Sequence, residues 1–361
     1  MKKIKIAFVV GTRPEIIKMS PLIEYCLKKN LSYILIHTNQ HYSEELDQYF
    51  FRDLNLPAAK YHLKTRSKSH SEQTGEMMIK LGKINDKELP SHLFIQGDTN
   101  SALAGALAAA KTGIQICHIE SGLRSNDRQM PEEINRVIID HIAEYLFCPT
   151  EVQAKILINE SVHGKIVVTG NTIVDAVLGI EKIIREKSAT ETADEKYILM
   201  TMHRPSNVDN RKRLITQLQN ISRVAQKFNL KVIFPIHPRT EKNLNSFGIK
   251  IPKNIEAIAP VGFIEMIGLE KNAKLIFTDS GGIQEEACIL KIPCLILREN
   301  TERPECLEVG AAKLVGENFK KLEAFSESYL KKNDRYWENP FGDGRAAEKI
   351  INYILTDRDD E

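Results

Sequence analysis

The sequence has little of what marks membrane, secreted or nucleic-acid-binding proteins. No apolar run is long enough to span a bilayer. The apolar run near the N-terminus is short and broken by Lys5, which predicts a first strand rather than a signal peptide. The net charge is only +2 over 361 residues, so a basic surface for nucleic acid is not expected. We therefore expect a cytoplasmic protein that binds neither membranes nor nucleic acids.

The sequence also has few of the motifs that define common enzyme sites. The six cysteines have no CxxC spacing and several lie in apolar runs, so buried reduced thiols are expected rather than disulfides or a zinc site. There is no HExxH, Walker A or GxSxG motif, and no dinucleotide fingerprint. The sequence therefore gives no support to a metal site or a dinucleotide site.

What the sequence does have is a regular alternation of short apolar runs and longer helical segments. This alternation predicts parallel sheets that are covered by helices on both faces. The charged stretch 181–197 separates two series of runs, and we interpret it as the end of a long helix followed by a linker. The predicted strands are 6–10, 32–37, 92–96, 114–119 and 165–169, then 197–202, 231–236, 255–259, 274–278 and 293–297.

These two series predict two doubly wound, Rossmann-like α/β domains that face a cleft. The N-terminal domain is expected to span residues 1–185, and the C-terminal domain residues 186–340. Residues 341–361 are predicted to form a C-terminal helix that could pack back on the first domain.

Polar or glycine-rich groups follow six of the predicted strands, where ligands of open α/β sheets bind. After the strand at 274–278, Ser280 is a good helix N-cap, and Gly281 and Gly282 would leave the first helical amides open to a phosphate. Glu286 lies four residues after Gly282, where its carboxylate could accept hydrogen bonds from ribose hydroxyls. The simpler alternative is a capped helix with an acidic start and no ligand.

Structural alternatives exist for the acidic residues at the other strand ends. Asp98 precedes an alanine-rich helix and could be its N-cap. Glu120 would need a close donor, such as Arg124, to be a structural carboxylate. Glu132 follows a helix-starting proline and is spaced for an i,i+4 ion pair with Arg136.

Basic residues at strand ends are open to two interpretations as well. Arg13 and Lys18 are placed to neutralise a phosphate, although Lys18 could lie on a solvated helix face. His203 precedes an arginine and a proline, and could titrate near neutral pH or contact a phosphate. His237 shows the same pattern more weakly.

Taken together, these motifs resemble those of the non-hydrolysing UDP-N-acetylglucosamine 2-epimerases. The resemblance covers nearly the whole chain, and the combination is far more specific than any one motif. The matching segments are GTRPEIIKMSPL (11–22), QGDTNSALAGALAA (96–109), HIESGLRS (118–125), MPEEINR (130–136), PTE (149–151), TGNTIVDA (169–176), TDSGGIQEEA (278–287), RENTERPE (298–305) and NPFGDGRAAEKI (339–350).

This resemblance implies a GT-B-like fold, a homodimer, and UDP held mainly by the C-terminal domain. It implies reversible conversion of UDP-GlcNAc to UDP-ManNAc, through loss of the C2 proton, anti elimination of UDP, a 2-acetamidoglucal intermediate and re-addition of UDP. That chemistry requires no cofactor and no metal, and it belongs to polysaccharide biosynthesis.

The resemblance also implies roles for individual residues. The family's catalytic acids fall on Asp98, Glu120 and Glu132, and its catalytic histidine falls on His203. The residues expected to bind the substrate and UDP are Arg13, Lys18, Arg136, His237, Ser280, Gly281, Gly282 and Glu286.

Other activities remain open at this point. The segments TMHRPSNVDN (201–210) and IHPRT (236–240) resemble a branch that acts on UDP-diacetamido uronates, whereas TERPE (301–305) favours UDP-GlcNAc. A GT-B glycosyltransferase, a hydrolysing epimerase and a sugar-nucleotide sensor are further alternatives. The predicted acid cluster disfavours a transferase, which needs no proton chemistry at C2.

Overall fold

The computed structural model describes residues 4–40, 51–65, 69–187, 196–331 and 336–357. The chain divides into two compact units, of which the first contains Met1–Ala176 and Phe341–Glu361 and the second contains Val177–Pro340. The domain limits expected from the sequence stay a prediction. Among the described residues, the helices are too short or too polar to cross a membrane.

The first unit is built on a seven-stranded parallel sheet with the order β3-β2-β1-β4-β5-β6-β7. Its central strands are mostly apolar and almost completely buried, because helices cover both faces of such a sheet. The strands are β1 Lys5–Val10, β2 Ser32–His37, β3 Tyr61–His62, β4 His92–Gln96, β5 Gln115–Ile119, β6 Tyr145–Cys148 and β7 Lys165–Val168. The helices are α1 Arg13–Lys28, α2 His70–Glu88, α3 Asn100–Ala110, α4 Pro131–Ile142, α5 Glu151–Asn159 and α6 Thr172–Lys187, which runs into the second unit.

Helix α3 packs tightly against this sheet because its sequence is rich in alanine and glycine. A Cβ atom added to Gly105 would lie 3.0 Å from the side chain of Ile95 on β4. Ala102, Ala104 and Ala106 are completely buried in the same core. The helix therefore places its N-terminus, which follows Asp98, close to the sheet.

The last helix of the chain, α14 (Ala346–Thr356), belongs to the first unit and packs against α1. Its apolar face, which includes Ile350 and Ile351, is fully buried. Its first amides are capped from outside the helix, because the carboxylate of Asp175 accepts hydrogen bonds from Ala346 N at 3.2 Å and Ala347 N at 2.9 Å. A segment distant in sequence thus completes the first unit.

The second unit repeats the architecture with a six-stranded parallel sheet of order β10-β9-β8-β11-β12-β13. Both units confirm the predicted α/β class with parallel sheets and alternating helices. The strands are β8 Tyr197–Thr201, β9 Lys231–Pro235, β10 Ile255–Ile258, β11 Leu275–Thr278, β12 Cys294–Ile296 and β13 Ala312–Leu314. The helices are α7 Pro205–Val208, α8 Arg211–Lys227, α9 Pro238–Phe247, α10 Phe263–Asn272, α11 Gly281–Ile289, α12 Pro304–Glu308 and α13 Phe319–Lys331.

Candidate active site

The strand order of the first unit creates a topological switch point between β1 and β4. These strands are hydrogen-bonded neighbours, but the chain continues from β1 to β2 on one side and from β4 to β5 on the other. Ligands of open α/β sheets bind in the crevice outside the carboxyl ends of such a pair. The structure places Arg13, exposed at the start of α1, and Asp98 at this crevice.

A buried glutamate joins the two loops of this switch point. Glu15 accepts hydrogen bonds from Gly11 N at 2.9 Å and from Thr12 Oγ1 at 2.8 Å in the loop after β1. It accepts a third from Thr99 Oγ1 at 2.6 Å in the loop after β4. Burial raises the pKa of Glu15 to about 7, although these three hydrogen bonds oppose the shift. The loops on either side of the crevice are therefore tied together.

The carboxyl group of Asp98 does not cap a helix in the described ranges. The N-cap of α3 is Thr99, whose hydroxyl accepts the hydrogen bond from Ala102 N at 3.1 Å, so the capping alternative for Asp98 is wrong. The Asp98 carboxylate instead contacts the guanidinium of Arg136. Burial raises the pKa of Asp98, and the charges of Glu120 and Glu132 raise it further against the effect of Arg136.

Glu120 lies at the end of β5 with its backbone in the left-handed region, at a φ of +65°. This conformation costs a non-glycine residue about 1–2 kcal/mol, so its surroundings must hold it. Its carboxylate accepts a hydrogen bond from Lys18 Nζ at 2.7 Å and another from Gln96. Lys18 is buried, so the solvated alternative for it is wrong. Arg124, the donor considered for Glu120, is instead bound to Asp140 at 2.7 Å.

Helix α4 supplies the remaining residues predicted for the first unit. Pro131 occupies its first turn, as expected, and Glu132 is exposed beside it. Within the described chain, Arg136 does not pair with Glu132 as its helical spacing suggested. It contacts Asp98, and its Nη1 lies 3.1 Å from Glu133 Oε2. Glu132 nevertheless lies near enough to Asp98 for its charge to act on that carboxyl.

The second unit has its own switch point, between β8 and β11. The loop after β8 carries His203, and the loop after β11 carries Asp279 and Ser280. Asp279 is fully buried and accepts hydrogen bonds from the backbone amides of His203 at 3.1 Å and Arg204 at 3.0 Å. This carboxylate fixes the loop that presents His203.

His203 and His237 are neighbours at this second switch point. The His203 ring is partly buried and its Nδ1 lies 3.3 Å from Asp279 Oδ1. Burial lowers the pKa of His203, and this effect exceeds the opposing charge of Asp279. The His237 ring lies 5.2 Å away, and its Nδ1 accepts a hydrogen bond from Arg239 N at 3.1 Å as the cap of α9. His237 is thus partly a structural residue.

The predicted phosphate loop forms the start of α11. Ser280 occupies the N-cap position of α11, as the sequence predicts. Among the described residues, its hydroxyl makes no capping hydrogen bond to the amides of this helix, which the sequence did not predict. The first amides of a helix have no intrahelical acceptor, so they suit an anion. The space beside Gly281 is open, and Glu286 Oε1 lies 3.5 Å from where a Cβ on Gly282 would be. The Glu286 carboxylate therefore lies beside the first turn of α11.

Three buried acids near these sites were not singled out from the sequence. Glu15 and Asp279 each lie just after a predicted strand, at 6–10 and 274–278, and that position could have identified them. Glu270, on α10, carries no comparable signal. Burial and the charge of Glu286 raise the pKa of Glu270 well above its ordinary value, so a neutral acid lies beside Glu286.

Each unit therefore offers a distinct chemistry. The first unit combines carboxyl groups with Lys18 and Arg136, and can remove or supply protons next to an anionic molecule. The second unit combines helix amides, His203 and Glu286, and can bind a phosphate beside hydroxyl groups. Within the described ranges, histidine, cysteine and acidic side chains form no cluster suited to a metal ion.

Comparison with known proteins assigns the chain to a family. The family model described as UDP-N-acetylglucosamine 2-epimerase matches residues 25–355. A UDP-N-acetylglucosamine 2-epimerase from Methanocaldococcus jannaschii is 51% identical over 98% of this chain and 99% of that protein. A crystal structure of the M. jannaschii UDP-GlcNAc 2-epimerase in complex with UDP-GlcNAc and UDP has a TM-score of 0.88 at 50% identity, and the match covers 98% of this chain and 99% of that one.

A further relative is named for a different substrate. The UDP-2,3-diacetamido-2,3-dideoxy-D-glucuronate 2-epimerase of Pseudomonas aeruginosa is 36% identical over 97% of this chain and 99% of that protein. The family model and both relatives are described as 2-epimerases, which invert a carbon of a UDP-linked sugar. The chain therefore belongs to the UDP-N-acetylglucosamine 2-epimerase family of isomerases.

Proposed function

We propose that this protein reversibly epimerises UDP-GlcNAc to UDP-ManNAc at C2 of the sugar. The observation that carries the proposal is the carboxyl cluster of the first unit, in which Asp98 has a raised pKa and lies close to the charges of Glu120 and Glu132. Epimerisation requires a proton to leave C2 on one face and return on the other. Several carboxyl groups in one crevice can share this work near neutral pH.

The reaction divides into two balanced steps. In the first, a carboxylate takes the C2 proton, the C–H electrons form a C1–C2 double bond, and the C1–O bond breaks with its electrons leaving on UDP. In the second, a carboxylic acid protonates the other face of C2 in 2-acetamidoglucal, while a UDP oxygen forms a new bond to C1. Asp98, Glu120 and Glu132 are the proposed proton donors and acceptors.

The second unit is proposed to bind UDP. The amides at Ser280, Gly281 and Gly282 suit the diphosphate, and Glu286 suits the ribose hydroxyls beside it. His203 is proposed to act on the departing diphosphate, and His237 to support that binding. Stabilising negative charge on the leaving group is the main contribution expected of such donors.

Basic residues of the first unit are proposed to bind the anionic substrate. Arg13 is exposed at the start of α1, where its positive charge would attract a phosphate. Lys18 and Arg136 contact Glu120 and Asp98, and the charge of Arg136 acts to lower the pKa of Asp98. No cofactor is required by this chemistry.

UDP-GlcNAc is preferred to a diacetamido uronate as the substrate for two reasons. The relative named for UDP-GlcNAc is 51% identical, against 36% for the relative named for the uronate. The segment TERPE at 301–305 also favours UDP-GlcNAc. A homodimer and a cytoplasmic location stay predictions, and light scattering of the purified protein would measure the oligomeric state.

Proton NMR in deuterated water tests the reaction directly. With UDP-GlcNAc and no added cofactor, we expect the C2 proton signal to disappear and the anomeric signal of UDP-ManNAc to grow. Exchange without UDP-ManNAc would contradict the second step. No exchange with UDP-GlcNAc, together with exchange of a UDP-diacetamido uronate, would move the assignment to that substrate.

The variant Asp98→Asn tests the carboxyl cluster. We expect it to fold and to bind UDP, but to turn over about 10²–10⁴-fold more slowly, because the amide cannot exchange the proton. Asp86→Asn, which changes an exposed aspartate of the same unit, is the matched control. Retained turnover in Asp98→Asn would remove Asp98 from the catalytic group.

A further inference from the structure

The turn that presents Glu120 depends on groups outside the reaction. Gly122 follows with a φ of +83°, so two residues of this short turn have left-handed backbones. The amide of Ser121 donates to Phe147 O at 3.2 Å, and the amide of Gly122 donates to Asp140 Oδ2 at 3.2 Å. A carboxylate on the neighbouring helix α4 therefore helps to hold the turn.

Asp140 is the centre of a buried network. Its Oδ2 also accepts from Arg124 Nη1 at 2.7 Å, and its Oδ1 lies 2.7 Å from His118 Nδ1. Arg124 is shared with Glu160, to which it donates at 2.8 and 2.6 Å. Burial acts to raise the pKa of Asp140, but His118 and Arg124 outweigh it and hold that pKa below its ordinary value. Asp140 is thus an ionised carboxylate.

The other ring nitrogen of His118 reaches the neighbouring strand end. His118 Nε2 lies 2.8 Å from the carbonyl oxygen of Gly97, which directly precedes Asp98. Gly97 itself has a φ of +68°, and its amide donates to Ile119 O at 3.1 Å. His118 therefore lies between the loop that carries Asp98 and the network that holds the turn at Glu120.

The two acceptors define the protonation state of this histidine. A carbonyl oxygen has no hydrogen to donate, and the carboxylate of Asp140 has none either. Each ring nitrogen must therefore donate, and an imidazole that donates from both nitrogens carries a positive charge. The network then contains two cations, His118 and Arg124, and two anions, Asp140 and Glu160. Because the charges are paired, their attraction offsets part of the free-energy cost of burying them.

We propose that His118, as a buried imidazolium, is a positioning residue that fixes the carboxylates of Asp98 and Glu120 relative to each other. The inference rests on the proposed function and deepens it. The His118 side chain is buried, so its proposed action on the reaction is indirect. It acts through Gly97 on Asp98 and through Asp140 and Gly122 on Glu120. A displacement of about 1 Å between reacting groups can slow a reaction about 10²-fold, so loss of this bridge acts on turnover rather than on UDP binding.

The test compares two histidines of the same sheet. His118→Phe keeps a planar ring of similar size and removes both donors. His92→Phe is the control, because His92 is equally buried but lies at the opposite end of β4, next to Ser91. For His118→Phe we expect kcat to fall about 100-fold, with KM for UDP-GlcNAc and the Kd of UDP within about threefold of the parent. His92→Phe is expected to keep kcat within about twofold of the parent.

Two conservative variants separate positioning from general stability. The amide nitrogen of His118→Asn reaches the position of Nδ1, and that of His118→Gln reaches the position of Nε2. Each restores one donor, so we expect both to turn over faster than His118→Phe and slower than the parent. Equal kcat in the parent and His118→Phe would overturn the proposal, and so would an equal loss of kcat in His118→Phe and His92→Phe.

A measurement on the unmodified protein keeps the proposal testable if the variants do not fold. Neutron diffraction from a deuterated crystal is expected to show deuterium on both ring nitrogens of His118. Deuterium on one nitrogen alone would overturn the imidazolium. If the unmodified enzyme did not exchange the C2 proton of UDP-GlcNAc, the proposed function would be overturned. If every variant exchanged this proton at the parent rate, only the role of His118 would be overturned.

Discussion

Glu15 shows how one buried residue can serve the crevice of the first unit and oppose its stability at the same time. Its side chain is fully enclosed and its three hydrogen bonds come from the loops after β1 and β4. These bonds favour the ionised form, but burial favours the neutral form more strongly and raises the pKa to about 7. Stability of the first unit should therefore depend on pH near neutrality.

The direction of that dependence follows from proton linkage. Between pH 4.5 and about 7, the folded protein keeps a proton on Glu15 that the unfolded chain has released. The free energy of unfolding therefore falls as the pH rises through this window, by about 3 kcal/mol in total. For Glu15→Gln, whose amide still reaches Gly11, Thr12 and Thr99, we expect this fall to vanish.

Urea unfolding of the parent and of Glu15→Gln between pH 4.5 and pH 8 measures the effect. The variant should gain stability relative to the parent as the pH rises. Glu151→Gln, at an exposed glutamate in the first turn of α5, is the control and should change stability by less than about 1 kcal/mol at every pH. Parallel curves for Glu15→Gln and the parent would show that Glu15 is ionised throughout.

At the scale of single residues, the sequence indicated the right positions but not their partners. Residues at strand ends could be predicted because the carboxyl ends of parallel strands meet at one edge of a sheet. The bond between Lys18 and Glu120 joins residues 102 positions apart, and no local pattern reports such a contact. Local patterns instead suggested Arg124 for Glu120, and helical spacing suggested Glu132 for Arg136. In both cases tertiary contacts replaced a plausible local pair.

At the scale of elements, every one of the ten predicted strands exists, with ends that agree to within about two residues. Strand β6, Tyr145–Cys148, was not predicted because its four residues follow α4 almost directly. A short apolar run at the end of a helix cannot be assigned by its periodicity. Strands β3 and β13 have two and three residues, which is too short for any period to show.

Helix α14 depends on a cap from another element. Arg345 occupies the N-cap position of this helix, but its side chain makes no capping hydrogen bond within the described structure. Asp175 of α6 accepts hydrogen bonds from Ala346 N and Ala347 N instead. We expect Asp175→Ala to lower the free energy of unfolding by about 1–2 kcal/mol, because two helix amides lose their acceptor. Urea unfolding followed by circular dichroism measures this.

The matched variant Asp175→Asn separates the hydrogen bonds from the rest of the side chain. Its single amide oxygen can still accept one of the two hydrogen bonds, so we expect a smaller loss than for Asp175→Ala. Burial already raises the pKa of Asp175, so removing its charge alone should cost little. A loss in Asp175→Asn equal to that in Asp175→Ala would contradict the capping role.

At the scale of the whole molecule, each unit has a hydrophobic core of its own. The core of the first unit includes Ile95 and Leu146, and the core of the second includes Leu218 and Phe277. The only tryptophan of the chain, Trp337, is buried in the second unit, where its Nε1 donates to Cys288 O at 2.9 Å. Its fluorescence therefore reports on the second unit, whereas circular dichroism reports on both.

This arrangement predicts that a core substitution acts on one unit. Ile350→Ala removes a fully buried side chain of α14 and should cost the first unit about 2–5 kcal/mol. In urea, we expect circular dichroism to show unfolding at lower concentration, while the fluorescence midpoint of Trp337 stays at its parent value. Leu218→Ala, in α8 of the second unit, is the matched variant and should lower the fluorescence midpoint. If Ile350→Ala shifted both signals equally, the two units would unfold as one cooperative body, because loss of either core would then remove the stability of both.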